Sequence, residues 1–76
     1  MKAQIEYTDT FSGEANYSWA RRAEITFADD ATDAQIKRAA KSAVDISGAR
    51  GTWTKFGDGL AFRPRGSCTI LFVNFD

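Results

Sequence analysis

Two clusters combine arginine with aromatic residues, Tyr17-Ser18-Trp19-Ala20-Arg21-Arg22 and Phe62-Arg63-Pro64-Arg65, and Trp53 lies between them in the chain. The chemistry such clusters suit is recognition. A guanidinium forks onto a carboxylate or phosphate, and the neighbouring ring supplies apolar area at low entropic cost. Trp19, Arg21, Arg22, Trp53, Arg63 and Arg65 therefore form the candidate partner-binding set that residue type supplies. The same arginines and aromatics on strands could instead make a platform that stacks bases, but the aromatic signature of RNA-binding sheets is missing.

Bond-making chemistry has little to work with. The chain has no His and a single Cys, which excludes Cys/His zinc sites, an intrachain disulfide and any nucleophile activated by an imidazole. Cys68, beside the apolar run Ile70-Leu71-Phe72-Val73, is expected to be a small buried hydrophobe. Asp29-Asp30 precede a helix, where acids favour the N-terminus without acting as a catalytic pair. Gly57-Asp58-Gly59 lacks the strand-to-helix setting of a phosphate loop. No catalytic residue, metal or cofactor is expected, and the protein reads as a non-enzyme.

With 76 residues, 43% of them hydrophobic, there is room for one core, so residues 1–76 are read as a single domain. The longest apolar run is far short of the roughly 20 residues that span a bilayer. Met1 to Asp9 has no basic stretch followed by an apolar one, so no secretory signal and a cytoplasmic setting are expected. Ten basic and ten acidic residues cancel, so attraction to nucleic acid or an acidic membrane is not implied by net charge. Their distribution is uneven. Through Asp33 there are three basic and seven acidic residues, and from Ala34 onward seven basic and three acidic. The molecule is dipolar if these halves stay apart, and evenly charged if strand pairing interleaves them.

Period-2 alternation predicts a first strand from Met1 to Thr8 and a second from Tyr17 to Ala28, joined by a long connection over Asp9 to Asn16. Arg21 interrupts the second pattern, which implies a bulge near Ala20 or a residue aimed outward at a partner. Thr32-Asp33-Ala34-Gln35 is a capping box. Ile36, Ala39, Ala40, Ala43 and Val44 then make one apolar stripe of a helix from about Asp33 to Ile46, with Gly48 ending it and Lys37, Arg38 and Lys41 on the solvated side. Thr52 to Phe56 and Leu60 to Arg65 form a hairpin around Gly57-Asp58-Gly59. Pro64 cannot donate to a ladder and belongs at an edge or bulge. Cys68 to Phe75, apolar on both sides over Ile70 to Val73, reads as a central strand. The order β-β-α-β-β-β gives an α+β domain, an antiparallel sheet with one helix on one face. The other face, with Trp19, Trp53, Phe56, Phe62 and Phe72 as candidates to line it, is either a docking surface or is covered by the Asp9 to Asn16 loop.

The run Phe11-Ser12-Gly13-Glu14-Ala15-Asn16-Tyr17-Ser18-Trp19-Ala20-Arg21-Arg22, with Gly66-Ser67-Cys68-Thr69-Ile70-Leu71-Phe72, resembles a group of small phage and prophage proteins. The likeness spans nearly the whole chain, and within that group the sequence looks like a type I-C anti-CRISPR protein. The resemblance implies a small inhibitor that binds protein subunits of a CRISPR surveillance complex in the bacterial cytoplasm and blocks recognition of target DNA, with Glu14 added to the partner-binding set as an acid that could pair with the basic channel of such a complex; the chain itself is expected to be a monomer or weak homodimer. A nucleic-acid-binding accessory protein and a small structural phage protein are the alternatives.

Overall fold

The structure, a computed structural model, describes residues 1–75. Strands β1 (Lys2–Phe11) and β2 (Glu14–Thr26) precede helix α1 (Asp33–Ala43), and β3 (Gly51–Phe56), β4 (Gly59–Pro64) and β5 (Thr69–Phe75) follow it. All strand pairs are antiparallel, in the order β2-β1-β5-β4-β3. The expected α+β architecture is present, and β5 is the central strand that its two-sided apolar run implies.

Alternation decides which residues form the core. Ala3, Ile5 and Tyr7 of β1, Leu60 and Phe62 of β4 and Leu71 and Val73 of β5 share one face, and Ile36, Ala40 and Val44 of α1 pack with them in one buried cluster. Phe27, at the end of β2, joins the same cluster. Phe62, Ile5, Leu71 and Val73 are essentially sealed from water. Ala40 is the small residue that lets the helix axis come close to the sheet.

Both helix ends have specific caps. The Gln35 amide donates to Thr32 Oγ1 at 3.2 Å and the Thr32 amide donates to Gln35 Oε1 at 2.9 Å, which completes the capping box. At the other end the helix stops at Ala43, earlier than Ile46. The Asp45 amide donates to the Ser42 carbonyl and the Ile46 amide to the Lys41 carbonyl, the two bonds of a Schellman ending. Asp45, with φ 65°, takes the left-handed position expected of Gly48. Aspartate tolerates that conformation, and Ile46 can then pack against the core.

Lys37 and Lys41 are not on a solvated side. Their ammonium groups lie 5.5 Å and 5.1 Å from the ring centres of Trp53 and Phe62, and Lys41 donates to the Ala49 carbonyl at 2.7 Å. Their aliphatic stems extend the apolar stripe while the charges stay at its margin. Pro64 occurs where β4 has run past its pairing with β5, which ends at Phe62 and Leu71, so its missing N–H costs no ladder bond. The two charge halves are not interleaved. β1 and β2 lie at one edge and β3 and β4 at the other, with β5 between.

Candidate functional site

The segment from Asp9 to Asn16 is not a loop. β1 and β2 continue through it and reverse in two residues, Ser12 and Gly13, whose φ values of 54° and 84° are those of a hairpin turn with both central residues left-handed. Ser-Gly is itself a turn signal, and alternation traced through it would have revealed the strand extension. The product is an arm that outruns the rest of the sheet, since β5 pairs with β1 only as far as Asp9 and Thr69.

The arm is shaped at its base by a bulge. The β1–β2 register is regular to Thr8 and Ala20 and resumes at Thr10 and Ala15. The extra β2 residues wrap around Asp9. Ser18 Oγ donates to Asp9 Oδ2 at 2.6 Å, Asn16 Nδ2 to the same oxygen at 2.9 Å, and the Ser18 amide to Oδ1 at 3.0 Å. Led by the Ser18 hydroxyl, these donors hold the Asp9 carboxyl down to about 2. Thr8, fully buried, donates to the Trp19 carbonyl at 2.7 Å. Tyr17 takes φ 57°, and the Glu6 carboxylate beside its phenol raises its pKa.

Bulge and turn twist the arm across the face that carries no helix. Arg63 Nη1 donates to the Gly13 carbonyl at 2.9 Å, which ties the arm's tip to β4, two strands away from β1. Ile70 of β5, on that face, is only 3% exposed. Farther along the same face Phe56 and Phe72 meet edge to face, with ring centres 5.6 Å apart. The arm's tip thus reaches the helix-free side through Arg63, and the segment left open as either a covering loop or a bystander to a docking surface is a pair of strands.

The structure distributes the candidate residues over different surfaces. Trp19 and Arg21 are on the Tyr7 side of the sheet. The Trp19 ring meets Tyr7 edge to face at 5.3 Å, the Arg21 guanidinium lies 6.0 Å from both rings, and Arg21 Nη1 donates to the Val44 carbonyl at 3.0 Å. Arginine among aromatics is explained by this bond, which satisfies an orphan carbonyl at the negative end of α1. Arg22 is on the opposite face, its Nε 2.9 Å from Glu6 Oε2. Trp53 does not line the helix-free face. It is half-buried at the helix side with its ring centre 4.8 Å from that of Phe62, which belongs to the core. Arg65 is exposed after β4, and Glu14 opens β2 opposite Phe11. Cys68 is exposed, in the turn before β5 and outside the apolar run.

The large exposed rings of the β1–β2 hairpin are divided between its faces: Trp19 (42% exposed) stands with Tyr7 and Arg21, Tyr17 (49%) with Glu6 and Arg22, and Phe11 (72%) lies beside the turn, opposite Glu14. Phe11 is absent from the candidate set because it lies in what reads as a turn-rich connection, and Tyr17, which opens the second strand in that reading, is absent although it stands in the same run as Trp19 and Arg21. Among the described residues no group of His, Cys, Asp and Glu is arranged to hold a metal ion, and no helix is long and apolar enough to cross a membrane. A shallow depression of about 260 Å³ lies at the far end of the sheet, lined by Asp33, Lys55, Asp58, Leu60 and Phe75 among others. No protein-family model matches the chain, and no curated protein or solved structure is significantly similar to it.

Proposed function

We propose that this protein is a non-enzymatic phage inhibitor that binds a type I CRISPR surveillance complex and excludes target DNA by occupying its path. The observation that carries the reading is the β1–β2 hairpin, which leaves three large aromatic side chains, Phe11, Tyr17 and Trp19, exposed around a hydrogen-bonded frame. Exposed Trp, Tyr and Arg are the residue types that dominate protein–protein binding energy, and a frame that fixes them in advance lowers the entropic cost of docking. Trp19 is the anchor in this reading, held in place by Arg21, Arg65 reaches for a carboxylate on the complex, and the body of the sheet blocks the channel.

A nucleic-acid platform on the helix-free face finds less support. Arg22 is paired with Glu6 there, Arg63 is engaged by the arm, and Glu24 adds a further negative charge. The test is capture of the tagged protein by a purified type I surveillance complex, followed by a gel shift of that complex with its target duplex. Retention with loss of the duplex shift is expected. Trp19→Ala should weaken retention by at least about 30-fold, the usual effect of removing an interface anchor. No retention, or binding of oligonucleotides by the protein alone in a salt-dependent manner, overturns the proposal.

A further inference from the structure

β2 is an edge strand, and two backbone hydrogen bonds fix which of its backbone groups are unused by the sheet. The Phe27 amide donates to the Met1 carbonyl and the Thr10 amide to the Cys68 carbonyl. Given the registers, odd-numbered residues of β1 exchange hydrogen bonds with β2 and even-numbered ones with β5. The ladder partners of β2 are therefore Phe27, Ile25, Ala23 and Arg21. Thr26, Glu24, Arg22 and Ala20 turn their N–H and C=O groups away from the sheet, a run of four residues along one straight edge.

We infer that this edge pairs with the same edge of a second copy of the chain, β2 antiparallel to β2, with Arg22 of each copy opposite Glu24 of the other. Charge complementarity selects both the partner and the register. Centred on Ala23, the pairing sets Ala20 against Thr26 and places two Arg–Glu pairs on the helix-free face, next to Glu6 and Gln4 in their own sheets, so that charge alternates across the seam. A shift of one step to either side puts Arg22 against Arg22 or Glu24 against Glu24, and like charges directly opposite are destabilising. Arg22 and Glu24 are 66% and 52% exposed, so both side chains are accessible to a second copy.

The opposite edge lacks these features. β3 is six residues long and bounded by Gly51, and the Arg65 amide donating to the Arg50 carbonyl leaves only Gly51, Trp53 and Lys55 facing outward. A short edge with a lysine is the usual protection against pairing. The pairing at β2 stops at Ala20, so both arms remain free and project from opposite ends of a ten-stranded sheet. The inference does not depend on what the arm binds.

Sedimentation of the full chain from micromolar to about 1 mM tests it, a range in which even a weak pairing is populated. A species of twice the 8.4 kDa chain mass is expected at the high end. Arg22→Glu and Glu24→Arg, each confirmed as folded by circular dichroism, should each weaken the dimer by about 30-fold, because each substitution changes two symmetric pairs from attraction to repulsion. Mixing the two variants should restore a heterodimer, since one chain then offers two glutamates and the other two arginines. Amide exchange at Arg22 and Glu24 should slow with concentration while that at Trp53 and Lys55 does not. A folded chain that stays monomeric throughout, a dimer indifferent to both substitutions, or a mixture that fails to associate overturns the pairing. Loss of complex capture in the edge variants of a chain that never dimerises would likewise overturn it and assign the edge to a foreign strand.

Discussion

On one side of the sheet Phe62, Leu71 and Val73 are sealed by Ile36, Ala40 and Val44 of the helix, with apolar surface against apolar surface. On the other, Ile70 is buried with no helix above it, and polar groups hold the two-stranded arm in place: Asp9 with Ser18 and Asn16, Thr8 with the Trp19 carbonyl, Arg63 with the Gly13 carbonyl. Dispersion and water exclusion act over the whole helix contact and tolerate small shifts. The arm is held by a few directional bonds, most of them open to solvent, and each such bond contributes little net free energy. The difference teaches where the molecule is built to be stable and where it is built to present side chains. The dry layer fixes the fold, and the wet arm fixes the orientation of Phe11, Tyr17 and Trp19.

The comparison can be broken first by cavities. Phe62→Ala should cost about 3–5 kcal/mol, most of the margin of a domain this small, whereas Ile70→Ala should cost about 2 kcal/mol because no helix lies above it. Urea unfolding midpoints of the two variants measure the gap, and equal losses would mean that both faces are packed alike. Acid should then separate the arm from the body. The folded-state pKa of Asp9 is depressed to about 2, below the roughly 3.9 of an unfolded aspartate, so its contribution is fully present above about pH 4 and fades as pH falls toward 2. Amide resonances of Asn16 to Trp19 should shift in that window ahead of those of β5, and Ser18→Ala should move the transition upward. The smallest effect is expected from Arg63→Ala. Its exposed bond to Gly13 should be worth no more than about 0.5 kcal/mol to global stability, yet amide exchange at Ser12 to Glu14 should quicken as the arm's tip is released.

Much of the fold was legible in the residues because local rules and tertiary packing agree. Alternation in Ala3, Ile5 and Tyr7, the two-sided apolar run in β5 and the Thr32–Gln35 capping box each predict the element that forms. Legibility fails where a polar residue has a tertiary partner. Arg21 interrupts an apolar alternation only until the helix C-terminus is placed beside it. Lys37 and Lys41 read as solvated until Trp53 and Phe62 lie beneath them. Asp9, Asn16 and Ser18 read as loop formers because such side chains favour turns, and here the same hydrogen-bonding capacity shapes a bulge.

The candidate site was legible by residue type and not by arrangement. Trp19 and Arg21 do stand together, but Arg22 and Arg63 face the other way and Trp53 belongs to the helix layer. A strand sends neighbouring side chains to opposite faces, so proximity in sequence separates residues there.

By itself the sequence determined the number and order of the elements and the absence of imidazole chemistry, since these depend on residue identity and on periods of two and 3.6 that act within each segment. Only the tertiary structure decided which strands are neighbours, that the arm crosses the helix-free face, and that β2 keeps a free, charge-patterned edge. Those outcomes rest on contacts between residues as far apart as Ala3 and Phe75, 72 positions along the chain, and such contacts exist only once the chain has closed on itself.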